Sequence, residues 1–152
     1  MIENVDRNQM AIFDSSPSYD VFISHSSRWP TEHRKLVDAL ADLLSQENLR
    51  VFLDRTELTE GLELIDSLKD AIRVSRIGLV VLTHKALASP WVDLEIRIMQ
   101  AQSLSGRFQI MAARLEESCR VPEGIQSDDV FDLQSLSHLV NIVVAVKKAA
   151  GK

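Results

Sequence analysis

The chain has 152 residues, enough for one compact domain and too few for two of ordinary size. Hydrophobic residues make up 45% and charged residues 26%, which is typical of a globular rather than a disordered protein. The formal net charge is -5 and no run of Lys and Arg exceeds two residues, which argues against nucleic acid or a membrane surface as a partner.

The N-terminal 18 residues are predicted to form a polar, loosely ordered leader. They contain no apolar run of the length that a signal peptide requires. Nowhere do about 18 apolar residues follow one another, so no membrane-spanning helix is expected. The single cysteine, Cys119, cannot form an internal disulfide. We therefore expect a cytoplasmic protein.

From Tyr19 onward, short apolar runs alternate with helical patterns. The runs predict strands at 19–24, 50–54, 77–83, 108–112 and 130–133. Helical spacing of apolar residues predicts helices around 36–44, 62–74, 89–105 and 135–150, with 116–127 mostly loop. Several strands are apolar without alternation, as in a sheet that helices cover on both faces.

This alternation predicts a doubly wound α/β domain with a parallel sheet of about five strands, flanked by helices. Ligands of such sheets bind beyond the carboxyl ends of the strands. That rule selects three segments for a functional site, namely 24–27, 54–61 and 83–91.

The helix predicted after Ser89 contains one residue that does not fit its surroundings. Ser89 suits the N-cap and Pro90 the first helical position. Periodicity then places Glu95 in the apolar arc, one turn after Trp91. A carboxylate there is costly to bury unless it is hydrogen-bonded. Glu95 either bonds a backbone amide or an arginine at the edge of the core, or carries out chemistry at the predicted ligand edge.

Two loops are weaker candidates. Asp54 to Gly61 lies between a predicted strand and a predicted helix, so it holds binding residues or is a solvated acidic connection. Gly61 permits a positive φ there. The stretch from Ser24 to Ser27 offers hydroxyls and amides to phosphate or ribose, or it is an exposed turn.

The sequence does not support a metal site, a catalytic thiol or a glycine-rich nucleotide-binding motif. The histidines His25, His33, His84 and His138 lack metal-ligand spacing, so no metal site is predicted. No histidine lies near Cys119 in the sequence to activate a thiol. The absence of a glycine-rich phosphate motif argues against hydride-transfer and nucleotide-hydrolysing enzymes.

Three stretches of the sequence resemble the TIR (Toll/interleukin receptor) family in their order and spacing. Tyr19 to Ser26 is similar to its first signature, and Arg50 to Asp54, followed by Leu58 and Gly61, to its second strand and the following loop. Ser89, Trp91 and Glu95 match the Ser-x-Trp-Cys-x-x-Glu pattern of enzymatic members.

The resemblance implies a flavodoxin-like TIR domain over residues 19–150. Val92 replaces the frequent cysteine, and the Phe-Trp pair of many animal members is absent, which favours a bacterial-type member.

Enzymatic TIR domains cleave the nicotinamide–ribose bond of NAD+, so the resemblance implies an NAD+ glycohydrolase in immune or antiphage signalling. The product would be nicotinamide with linear or cyclised ADP-ribose, and NAD+ would be substrate with no further cofactor. Glu95 would be the catalytic carboxylate, because the cationic leaving group needs no strong general acid.

The resemblance also implies roles for the neighbouring residues. Substrate-binding roles fall to Ser24, His25, Ser26, Asp54 and Trp91. Self-assembly with other TIR domains into a homo-oligomer or filament would use the loop that contains Arg55, Glu57, Leu58, Glu60 and Gly61.

The alternatives to an enzyme are a non-catalytic adaptor or effector and a response-regulator receiver. A non-catalytic adaptor or effector would act through TIR–TIR interactions alone. A response-regulator receiver fits poorly, because the third apolar run ends in Leu82, Thr83 and His84 and not in a phosphorylatable aspartate.

Overall fold

The computed structural model describes residues 18–24, 31–53 and 62–152. The strands are β1 (Tyr19–Ser24), β2 (Val51–Leu53), β3 (Ser75–Leu82), β4 (Gln109–Arg114) and β5 (Val130–Asp132). The helices are α1 (Thr31–Gln46), α2 (Leu62–Arg73), α3 (His84–Leu87), α4 (Pro90–Ser103) and α5 (Leu139–Ala149). Single 3-10 turns lie at Ser127–Asp129 and Leu136–His138. Of the predicted leader, only Ser18 belongs to the described residues.

All five strands pair in parallel in the order β2-β1-β3-β4-β5, which confirms the predicted doubly wound sheet. The chain moves from β1 to β2 on one side and then to β3 on the other, so the strand order reverses between β1 and β3. Ligands of flavodoxin-like sheets bind at this switch point, beyond the carboxyl ends of the two strands.

The sheet is buried on both faces, which explains the apolar runs without alternation. Ile77, Leu79 and Val81 of β3 belong to the core under α1 and α5. Val80 and Leu82 belong to the core under α2 and α4. All five side chains are completely buried, as expected where helices cover both faces of a parallel sheet.

Several element boundaries differ from the predicted ones, and one helix was not predicted. β3 begins at Ser75 and not at Ile77, because Ser75 follows α2 almost directly and its Oγ donates to the carbonyl of Ala71. The last helix begins at Leu139, after a 3-10 turn, and not at Ser135. Between β3 and α4 lies the unpredicted helix α3, whose four residues are too few to show a periodicity. The predicted loop over 116–127 contains only turns before the 3-10 turn at its end.

Gly78 lets α4 approach the sheet closely. A Cβ atom at Gly78 would lie 2.7 Å from Met99 Sδ of α4 and 2.7 Å from Phe108 Cζ. Real Cβ atoms do not come this close to other heavy atoms, so the Met99 side chain and the Phe108 ring would have to move. A glycine inside a strand therefore marks the place where α4 packs onto β3.

At the amino edge of the sheet, the buried carboxylate of Asp20 joins three parts of the chain. It accepts a 2.8 Å hydrogen bond from the Arg50 backbone N–H and pairs at 3.4 Å with the Arg50 guanidinium and with Lys152 Nζ. Burial alone would raise the pKa of Asp20, but the hydrogen bonds and the charge of Arg50, with the bond from Lys152, lower it below 3.8.

Within the described residues, none of the helices has the length and apolarity needed to cross a lipid bilayer.

Gly78→Ala is expected to lower the free energy of unfolding by about 1–3 kcal/mol, because the added methyl group overpacks the contact with Met99 and Phe108. Ala101→Ser also adds one heavy atom, but on the exposed side of α4, and should change stability little. Urea unfolding measures both variants. Equal stability of Gly78→Ala and wild type would contradict the close packing of α4 on β3.

Acid should remove the stabilisation that the Asp20 carboxylate provides. Its pKa is lower in the folded state than the ordinary 3.8, so its contribution is complete above that value and is lost as the pH falls through the folded-state pKa. We expect Asp20→Asn to be less stable than wild type at neutral pH. On acidification to about pH 2, the variant should lose less of its free energy of unfolding than wild type does.

Urea unfolding at both pH values tests this expectation, with the exposed Asp128→Asn as a control. If Asp20→Asn lost as much stability in acid as wild type, the Asp20 carboxylate would not be the group responsible.

Candidate active site

The last residue of β1, Ser24, faces α4. Side chains alternate between the two faces of a strand. Val21 and Ile23 lie in the core under α1 and α5, whereas Phe22 lies in the core under α2 and α4. Ser24 therefore points to the same side as Phe22. It pairs in register with Val80 of β3, so it lies at the switch point of the sheet.

The start of α4 is fixed by a cap, as the sequence predicts. Ser89 is extended, its Oγ accepts a 3.4 Å hydrogen bond from the Val92 N–H, and Pro90 occupies the first turn. With this start, Trp91, Glu95 and Met99 follow one another at intervals of four residues on one side of the helix. All three are buried, which confirms that Glu95 lies on the apolar face.

Ser24 and Glu95 meet between β1 and α4. Ser24 Oγ donates a 2.8 Å hydrogen bond to Glu95 Oε1, and both side chains have 0% exposure. The bond supplies one of the hydrogen bonds that a buried carboxylate requires. Its donor is a serine hydroxyl from the first strand, a partner that the sequence analysis did not name.

The arrangement suits the stabilisation of positive charge. A carboxylate held at the carboxyl edge of the sheet, one helical turn from the indole of Trp91, can stabilise a cationic carbon or accept hydrogen bonds from ligand hydroxyls. Because the Glu95 carboxylate is already oriented when positive charge develops on a ligand, little of the stabilisation is lost to reorganisation.

Of the other predicted site residues, the structure describes some and leaves others outside the described ranges. Ser24 is fully buried at the end of β1, so the alternative of an exposed turn is wrong for this residue. His25, Ser26 and Asp54 lie outside the described residues, as does the predicted assembly loop with Arg55, Glu57, Leu58, Glu60 and Gly61. Their proposed roles stay predictions.

The structure also brings together a group of residues that the sequence did not predict. A ring nitrogen of His84, a carboxylate oxygen of Glu116 and the Cys119 thiol lie within 4.8 Å of one another. The prediction of no metal site did not include this grouping of His84 with Glu116 and Cys119. It relied on spacing along the chain, whereas the loops after β3 and β4 meet because these strands are paired.

Cys119 is buried although its sequence surroundings are polar. Its burial, and secondarily the Glu116 carboxylate, raise the pKa of the thiol, and the charge of Arg114 acts in the opposite direction.

Similar proteins include several with named activities. The chain is 30% identical over 98 residues to the 2′ cyclic ADP-D-ribose synthase AbTIR of Acinetobacter baumannii, covering 64% of this chain and 35% of that protein. It is 32% identical over 97 residues to the NAD(+) hydrolase PdTIR of Paracoccus denitrificans, covering 64% of this chain and 31% of that protein. The matched region thus spans about a third of the length of these relatives.

Solved structures show the same fold at low sequence identity. The TIR domain of the Toll-related receptor TRR-2 from Hydra magnipapillata superposes with a TM-score of 0.60 at 20% identity, covering 86% of this chain and 99% of that domain. The RPS4 and RRS1 TIR domain heterodimer gives a TM-score of 0.58 at 12% identity, covering 88% of this chain and 99% of the matched chain.

A family model described as the TIR domain matches residues 21–140. These residues contain strands β2 to β5, the last four residues of β1 and the Ser24–Glu95 pair. The chain is a member of the TIR-domain family.

Proposed function

We propose that this chain is an NAD+ glycohydrolase, which cleaves the nicotinamide–ribose bond and releases nicotinamide with linear or cyclised ADP-ribose. The observation that carries the proposal is the buried hydrogen bond between Ser24 and Glu95 at the switch point of the sheet. The named activities of the relatives, NAD(+) hydrolase and cyclic ADP-ribose synthase, support the same substrate.

The reaction needs one well-placed carboxylate. The bond between ribose C1′ and the pyridinium nitrogen breaks with its electron pair going to nitrogen, so nicotinamide leaves as a neutral molecule. The remaining ribose carbon has oxocarbenium character, which the negative charge of Glu95 stabilises. Attack by water and loss of a proton give linear ADP-ribose, whereas attack by a hydroxyl of the same molecule gives a cyclised product.

Ser24 and Trp91 support this role of Glu95. The Ser24 hydroxyl holds Glu95 Oε1 at 2.8 Å, so we assign Ser24 first to positioning the carboxylate. Trp91 lies one helical turn before Glu95, where its ring would contact the substrate. His25, Ser26 and Asp54 follow the carboxyl ends of β1 and β2, where they would meet ribose or phosphate groups.

The burial of the site points to activation by assembly. Ser24 and Glu95 have no exposed surface and Trp91 only 5%, so a substrate reaches them only if this edge of the sheet opens. We propose that association with further TIR domains, through the loop at 54–61, opens and completes the site. In the cell the chain would then act in cytoplasmic immune or antiphage signalling.

Glu95→Gln is expected to reduce nicotinamide release by roughly 100- to 1000-fold, because the variant keeps the shape of the side chain and loses its charge. Release should be followed over a series of protein concentrations, where assembly makes the specific activity of wild type rise. Asp93→Asn is the matched control and should retain activity, because Asp93 lies on the exposed side of α4, where it pairs with Arg97 at 2.9 Å.

Two outcomes would contradict the proposal. No nicotinamide release by wild type under assembling conditions would favour the non-catalytic adaptor, which acts through TIR–TIR contacts. Equal release by wild type and by the Glu95 variants, including Glu95→Ala, would remove Glu95 from the reaction.

Ser24→Ala is expected to lower kcat roughly tenfold, because the loss of a buried hydrogen bond costs about 1–3 kcal/mol and the carboxylate is less well held. Ser75→Ala is the matched control, since Ser75 is also buried and its Oγ bonds the carbonyl of Ala71 away from the site. Both variants should lose some thermal stability, but only Ser24→Ala should lose activity. Equal losses of activity would show that stability alone is responsible.

A further inference from the structure

His84, Glu116 and Cys119 form a second cluster at the carboxyl edge of the sheet. His84 follows β3, whereas Glu116 and Cys119 follow β4. We propose that these three residues bind a divalent cation that accepts both thiolate and imidazole ligands, and that Zn²⁺ fits best. This inference is independent of NAD+ cleavage.

The set of donor atoms selects the type of metal. Thiolate sulfur, imidazole nitrogen and carboxylate oxygen are the three ligand types of Zn²⁺ in proteins, whereas Mg²⁺ and Ca²⁺ prefer oxygen alone. Three protein ligands leave one tetrahedral position for water or for a group from another molecule.

The separations are close to those of a metal site. The ligand atoms lie within 4.8 Å of one another, and ligands of a tetrahedral zinc ion are about 3.3–3.7 Å apart. A shift of roughly 1 Å therefore closes the site around an ion. His84 is exposed and Cys119 is buried, so the histidine ring can move toward a fixed sulfur.

Existing hydrogen bonds already orient the ligands. The Cys119 N–H donates to the Glu116 carbonyl at 3.2 Å, and this turn places the two side chains together. Glu116 Oε1 accepts a 2.7 Å bond from the His84 N–H, and His84 Nε2 lies 3.0 Å from Ser118 Oγ. Outer partners of this kind fix the orientation of metal-bound imidazole and carboxylate groups.

The neighbouring cation does not occupy the place of a metal ion. Arg114 lies beside the cluster, but its Nη2 is paired with Asp132 at 3.0 Å and its Nη1 donates to the Glu117 carbonyl at 3.3 Å. The guanidinium is thus directed to β5 and to the main chain of the loop.

A bound ion would connect the loop after β4 with the segment between β3 and α4, the helix that carries Glu95. His84 begins α3, which the Thr83 side chain caps through a 2.9 Å bond from the Ala86 N–H. The Ser89 N–H donates to the Ala86 carbonyl at 3.0 Å, and Ser89 caps α4. Metal binding should therefore reduce the motion of residues 83–89, which lead into α4, the helix that carries Glu95.

The test uses the untagged, metal-free chain with Zn²⁺ or Co²⁺ alone as the probe. Co²⁺ should bind once per chain and give the near-ultraviolet thiolate-to-cobalt absorption band, because Cys119 is the only cysteine. Zn²⁺ should displace it, raise Tm by roughly 5–10 °C at a hundredfold excess over Kd, and protect the amides of 83–89 from hydrogen exchange.

Matched variants identify the ligands. Glu116→Gln keeps an oxygen acceptor for the His84 N–H but lacks the charge, so its affinity for Zn²⁺ should fall at least roughly tenfold. The exposed neighbour Glu117→Gln should bind as wild type does. The Zn²⁺ affinity of His84→Ala should also fall at least roughly tenfold. In Cys119→Ser, the thiolate-to-cobalt charge-transfer band should be absent.

Either of two results would overturn the proposal. One is a wild-type cobalt titration without a thiolate charge-transfer band. The other is unchanged Zn²⁺ affinity in both His84→Ala and Glu116→Gln.

Discussion

The burial of one carboxylate is the constraint on which the site depends. Moving a charged group out of water costs several kcal/mol unless hydrogen bonds replace its hydration. The bond from Ser24 Oγ to Glu95 Oε1 requires that the end of β1 and the first turns of α4 keep a fixed separation. The cap at Ser89 sets the rotation of the helix, and Gly78 sets how closely it packs on the sheet. The position of β1 in the sheet, the start of α4 and the absence of a side chain at Gly78 thus together place the Glu95 carboxylate.

The two edges of the sheet use acidic residues in different ways. At the amino edge, Asp20 is paired with the cations of Arg50 and Lys152, an arrangement that stabilises the fold. At the carboxyl edge, Glu95 accepts a hydrogen bond from a neutral hydroxyl, and Glu116 lies with a histidine and a cysteine. All parallel strands end at the same edge, so polar residues that follow different strands gather there. The candidate active site and the proposed metal site share this origin and differ in the pair of strands that they follow.

Much of the fold follows from local pattern. Apolar runs such as that of β3 predict buried strands, and amphipathic spacing predicts the helices between them, so strand number and parallel pairing were predictable. The boundaries were less so. Ser75 extends β3 toward α2 through a side-chain bond to Ala71, and α3 is too short to have a periodicity. Within the site, the N-cap at Ser89 and the inward direction of Glu95 were predictable, because both depend on residues within one or two helical turns.

The fold class, the start of α4 and an acidic residue on an apolar face all follow from local sequence patterns. No such pattern indicates that Ser24, 71 residues away, donates a hydrogen bond to Glu95, or that His84 meets Glu116 and Cys119. Periodicity reports the geometry of one helix or strand. Contacts between elements depend instead on sheet register and on how closely a helix packs, which side chains far apart in the chain settle together.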